Sequence, residues 1–194
     1  MLGSFVRTVC AVAALVSTGV SSRRAAAETP TPGAARPAPT HAVVPLSRLH
    51  HVAQREIALG LLAQVAALRP ETMRFATDLE TDFRLLDRRI VAIADAHGIG
   101  ADRLRQAYAD DNPAALAGEA ADLDRLSSVR GADFDRQFWL TLAHDQRAAS
   151  TLLASTAGTV PSLDPLVAET VRLLDRSIRG ALAAQSASNT PAAR

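Results

Sequence analysis

The sequence predicts an all-α chain built around an antiparallel four-helix bundle. Three observations carry that expectation. Hydrophobic residues make up 48% of the 194 residues, much of this alanine, while aromatics are only 4%. Alanine favours helix, and the β-branched residues are scattered rather than gathered into strand-like runs. Between residues 76 and 97, Ala76, Leu79, Phe83, Leu86, Ile90, Ile93 and His97 recur at alternating steps of three and four, the spacing of a helix packed in a bundle. Finally, Pro70, Gly98, Gly131, Gly158 and Pro161 divide the chain into helix-length segments.

The first helix is expected over Ser47–Leu68, with Ser47 as N-cap and Pro70 ending the segment. The second starts at Pro70, a favourable first-turn residue, and runs to His97, where Gly98 supplies a left-handed cap. A connector from Gly100 to Arg130 holds two shorter helices, Asp102–Tyr108 and Pro113–Val129, with a turn at Asp110-Asp111-Asn112. The third main helix spans Asp133–Thr156, with Phe134, Phe138, Leu142, Ala149 and Leu152 on one stripe. The fourth spans Ser162–Gln185, capped by Ser162, with Leu163, Val167, Leu174, Ile178 and Ala181 inward. Short turns make helices 1 and 2 antiparallel neighbours, and likewise 3 and 4. The long connector permits a crossover, which is the ferritin-like form of the bundle.

The two ends read differently. Residues 1–27 have the pattern of a secretory signal: Arg7, the apolar run Thr8 to Val20, and the small-residue site Ala25-Ala26-Ala27. Cleavage is expected before Glu28, with the Arg23-Arg24 pair an atypical feature of the segment. The uncharged stretch between Arg7 and Arg23 is shorter than the roughly 20 residues a membrane-spanning helix needs, which favours cleavage over an anchor. Arg7, three positions before Cys10, argues against a lipid-attachment motif. Residues 28–45, with Pro30, Pro32, Pro37, Pro39 and Pro45, read as an extended linker, and residues 186–194 as a polar tail. The bundle domain is thus expected over residues 46–185.

Charge and composition exclude several chemistries. All 21 basic residues are arginine, so there is no lysine for a Schiff base or a phosphate loop. Loss of residues 1–27 removes Arg7, Arg23 and Arg24 and no acid, turning a net charge of +1 into −2. A near-neutral chain without a basic block is a poor nucleic-acid binder. The single cysteine, Cys10, lies in the signal segment, leaving the mature chain without a thiol nucleophile or disulfide. No serine sits in a G-x-S-x-G elbow and no glycine-rich phosphate loop is present. Tyr108 and Trp139 are too few for base or sugar stacking.

Four segments stand out in order along the chain: Glu56-Ile57-Ala58-Leu59-Gly60; Arg74-Phe75-Ala76 with Asp82-Phe83; Leu123 to Ser127 with Gly131 and Phe134-Asp135-Arg136; and Asp145-Gln146. They are similar, in turn, to the motifs E-V-E-L-G, F-A-x-x-M-x-x-D-H, L-x-x-L-S-G…F-D-R and a D-H pair. Together they resemble the domain-of-unknown-function family 4142, a family of exported ferritin-like proteins. The resemblance covers about Leu46 to Ala184 and implies the fold and an envelope location, but no enzyme activity. It also implies histidines at positions that here hold Phe83, Gln146 and Ser177, and a second acid where Ala58 stands. Those side chains are poor metal ligands or none.

A di-iron bundle needs inward glutamates and two E-x-x-H pairs, and the chain has no E-x-x-H. The acids and histidine that could still serve a metal are Glu56, Asp82, Asp145 and His144. His144 is turned about 100° from its neighbour Asp145 and reads as a solvent-facing side chain. His97 reads as a helix-end residue, and His50 and His51 point apart. The expectation is therefore a non-enzymatic envelope protein without cofactor, acting through a protein partner or self-association, with no membrane-spanning helix in the mature chain. The competing expectation is a ferritin-like metal-binding or redox protein with a degenerate site.

Overall fold

A computed structural model describes the backbone of residues 40–188 and the side chains of residues 41–183. The expected signal segment, most of the expected linker and the end of the expected tail lie outside the described residues. Those described form six α-helices and no strand: α1 (Thr40–Ala66), α2 (Pro70–Ala96), α3 (Ala101–Asp111), α4 (Pro113–Ser128), α5 (Gly131–Ala154) and α6 (Asp164–Ser188). A 3-10 turn, Pro161–Leu163, leads into α6. No helix among them is long and apolar enough to cross a membrane.

The four long helices pack in a closed ring. α1 lies on α2 and α5, and α6 lies on the same two. α3 also packs against α1, and α4 bridges α5 and α1. The α2 stripe is buried as its spacing predicts from Ala76 through Leu79, Phe83, Leu86 and Ile90. It then continues to Ala94 rather than Ile93, which is half-buried. His97 closes the helix, and Gly98 follows at φ 73°.

Several boundaries differ from the sequence expectation. α1 begins at Thr40, not Ser47, and absorbs Pro45 and the preceding part of the expected linker. Its apolar rhythm explains this, since Ala42, Leu46, Leu49 and Ala53 form one buried stripe. Their burial outweighs the backbone hydrogen bond that Pro45 cannot donate. Ser47 is therefore no cap: it is fully buried, and its hydroxyl donates to the Val44 carbonyl at 2.8 Å. Ser162 is no cap either. It sits in the 3-10 turn, where Asp164 accepts from the Gly158 N–H at 2.9 Å. On α6 the inward position belongs to Ser177, while Ile178 is half-buried. On α5, Leu153 rather than Leu152 is fully buried. Gly131, expected as a breaker, is instead the first residue of α5, at φ 66°.

The α1–α2 contact is close enough to need a glycine. A Cβ on Gly60 would lie 2.8 Å from the Ala76 carbonyl oxygen and 2.9 Å from Glu80 Cβ. Backbone oxygen cannot swing aside, so the helices would have to part. In an open helix Gly→Ala gains up to about 1 kcal/mol. Gly60→Ala is expected to do the opposite, costing about 1–3 kcal/mol by overpacking, which thermal denaturation would read as a lower midpoint.

Candidate functional site

The chemistry of the interior is concentrated on α1, because α1 is covered by α2, α3, α4 and α5. Ser47, His50, Arg55 and Glu56 are all buried on it. Buried polar groups are costly unless hydrogen bonded, and the last three reach three different neighbours. His50 Nδ1 lies 2.6 Å from Asp87 Oδ1 on α2. Arg55 Nε donates to Asp145 Oδ2 on α5 at 2.7 Å, and its Nη1 donates to the Glu119 carbonyl on α4 at 2.8 Å. Both partners of the Arg55–Asp145 ion pair have side chains only 7% exposed.

Glu56 meets Gln146 of α5, whose Nε2 donates to Glu56 Oε2 at 3.5 Å and to Ser177 Oγ on α6 at 2.5 Å. This links α1, α5 and α6 through one amide. Burial, followed by the charge of Asp145, pushes the Glu56 carboxyl up to about 8, against opposing effects of Gln146 and Arg55. Glu56 is therefore neutral at pH 7. Burial also raises Asp145, although Arg55 pulls the other way.

A groove of about 710 Å³ opens beside this cluster, lined by residues of α1, α3, α4 and α5. That volume is in the usual range of ligand pockets. His51, turned away from His50, joins Glu119 Oε2 at 2.6 Å and stacks on Tyr108 with ring centres 3.5 Å apart. The Tyr108 hydroxyl donates to Glu119 Oε1 at 3.5 Å. Burial and the Glu119 carboxylate push that phenol up to about 12, so it remains a donor. At the rim, Arg48 bonds Asp111 at 2.8 Å, and this contact lowers the Asp111 carboxyl.

The structure separates the four sequence candidates. Glu56 and Asp145 are close enough to influence each other, and His144 Nδ1 lies 3.6 Å from Asp145 Oδ1 with its side chain 75% exposed. Asp82 is elsewhere: it faces Arg176 of α6 at 3.6 Å, beside a separate small cavity. Its position next to Phe83 explains this, since one helical step turns a side chain by about 100° and Phe83 holds the inward place. Sequence reasoning missed Asp122, whose carboxylate joins His144 and Asp145 in a group with ligand atoms all within 4.8 Å of one another. It also missed Glu119. Both stand on α4, and only the fold brings that helix to α1 and α5.

The sequence matches the family model described as a domain of unknown function, DUF4142, over residues 26–183. The chain belongs to that family. No curated protein and no solved structure matches it. In this DUF4142 chain the three positions where the sequence resemblance implies histidines are packed or bonded. Phe83 is 1% exposed in the core, and Gln146 and Ser177 hold each other. The Phe134-Asp135-Arg136 segment has a structural role. Asp135, buried, accepts the Arg69 N–H at 3.2 Å at the start of α2, where a negative charge is favourable.

Proposed function

We propose that this DUF4142 chain is an exported, non-catalytic ferritin-like bundle of the cell envelope, acting by binding or structural support. The observation that carries this reading is the Glu56–Gln146–Ser177 cluster, with its neutral carboxyl. A metal centre in a bundle core is built from ionised glutamates and histidines converging from several helices. Within this cluster the donors are one protonated acid, an amide and a hydroxyl, joined through Gln146 Nε2. Export rests on Arg7, the Thr8–Val20 run and Ala25-Ala26-Ala27, and the mature N-terminus is expected at Glu28 by N-terminal sequencing. The ferritin-like assignment rests on the ring of long helices and the α3–α4 crossover.

Metal analysis tests the closed core. Protein purified after growth in iron and manganese should retain neither in an amount that depends on Glu56. Stoichiometric iron or manganese in the wild type, lost in Glu56→Gln, would overturn the reading.

A further inference from the structure

The geometry points to a divalent-cation site, suited to zinc, formed by Asp122 of α4 with His144 and Asp145 of α5 in the wall of the groove. One imidazole nitrogen and two carboxylate oxygens form the donor set, their ligand atoms all within 4.8 Å of one another. A mixed nitrogen and oxygen set of this kind fits a borderline ion such as zinc better than calcium or magnesium. Zinc–ligand bonds of about 2.0–2.2 Å place two ligands of one ion roughly 3–4 Å apart, so only a small closure is required. His144 can supply it, because its side chain is 75% exposed and free to turn.

The partners of Asp145 orient it within this group. The residue is only 8% exposed. Arg55 takes its Oδ2 at 2.7 Å and is itself held by the Glu119 carbonyl. The other oxygen, Oδ1, faces His144, whose Nδ1 lies 3.6 Å away and whose hydrogen bonding holds the Asp145 carboxyl lower. Asp145 thus gives one oxygen to Arg55 and turns the other to His144, a second member of the donor set. Arg55 acts as the outer-shell group that orients a ligating carboxylate. Arg125, 3.2 Å from Asp122, is 63% exposed and can swing into solvent when the ion enters. Three protein ligands would leave coordination positions for water or for a molecule held in the groove.

This site is distinct from the closed core and does not depend on Glu56. Calorimetric titration of the purified protein with zinc alone at pH 7 tests it. One ion per chain is expected, with affinity falling by at least about tenfold in His144→Ala and in Asp122→Asn, and unchanged in Glu56→Gln. Both altered side chains reach solvent, so the melting midpoints without zinc should match the parent. Absence of zinc binding, or binding that ignores both substitutions, would overturn the site. Iron or manganese held through Glu56 would overturn the closed core instead, so the two failures are distinguishable.

Discussion

Replacing Arg55 by methionine is expected to destabilise the protein by about 3–5 kcal/mol at pH 7, the cost of leaving a buried charge without its partner. Arg55 ties α1 to α5 through Asp145 and to α4 through the Glu119 carbonyl, so one substitution loosens two contacts. Methionine keeps most of the apolar stem, which confines the loss to the guanidinium. The effect should shrink as pH falls, because Asp145, already raised by burial, protonates and no longer needs a counter-charge. Urea denaturation at pH 7 and pH 5 checks both parts. A loss below about 1 kcal/mol at pH 7, the scale of exposed pairs, would mean that the pair is solvated rather than buried.

The second large effect concerns Glu56, and its sign runs against the usual carboxylate. Its pKa is 4.5 as an ordinary group and about 8 in the fold. Below the lower value both states are protonated and the group contributes nothing. Between the two, the unfolded chain releases a proton that the folded chain retains, so stability falls as pH rises. Each pKa unit is worth about 1.4 kcal/mol, and the loss across the window is on the order of 3–5 kcal/mol. Asp145, raised in the same direction, adds to the slope. The protein should therefore unfold at a higher urea concentration at pH 5 than at pH 8. Glu56→Gln keeps the shape without the titration and should flatten most of that slope, with its advantage over the parent greatest near pH 8. A parent that gains stability from pH 5 to pH 8 would contradict the burial account of Glu56.

Much of the fold was legible in the sequence, and the reasons are specific. The α2 stripe from Ala76 to Ile90 was readable because one face is apolar and the opposite face carries Asp78, Arg84 and Arg88. The α3–α4 connector was readable because Asn112-Pro113 marks its turn. α1 was harder. It is buried on most sides, so its early turns lack a clear polar face, and prolines masked its start. Its charged residues, Arg48, Arg55 and Glu56, are few for a helix of that length, which was the available sign that it is central. Glu56 and Asp145 were found from sequence as inward acids, but their partners were not. Glu119 and Asp122 lie on a helix with one fully buried residue, Leu126, and helical spacing cannot place such a helix against a particular groove. Gln146 and Ser177 were read as lost ligands, and the fold shows them hydrogen bonded to each other. Asp82 failed as a candidate because Phe83 beside it takes the core position.

The most direct test of the closed core is the titration of Glu56 itself. The side-chain carboxyl of Glu56, followed by carbon NMR and assigned by comparison with Glu56→Gln, should titrate with a midpoint near 8 and remain protonated at pH 7. A midpoint in the ordinary glutamate range, about 4–5, would mean an ionised interior carboxylate available to a metal, and would contradict the account.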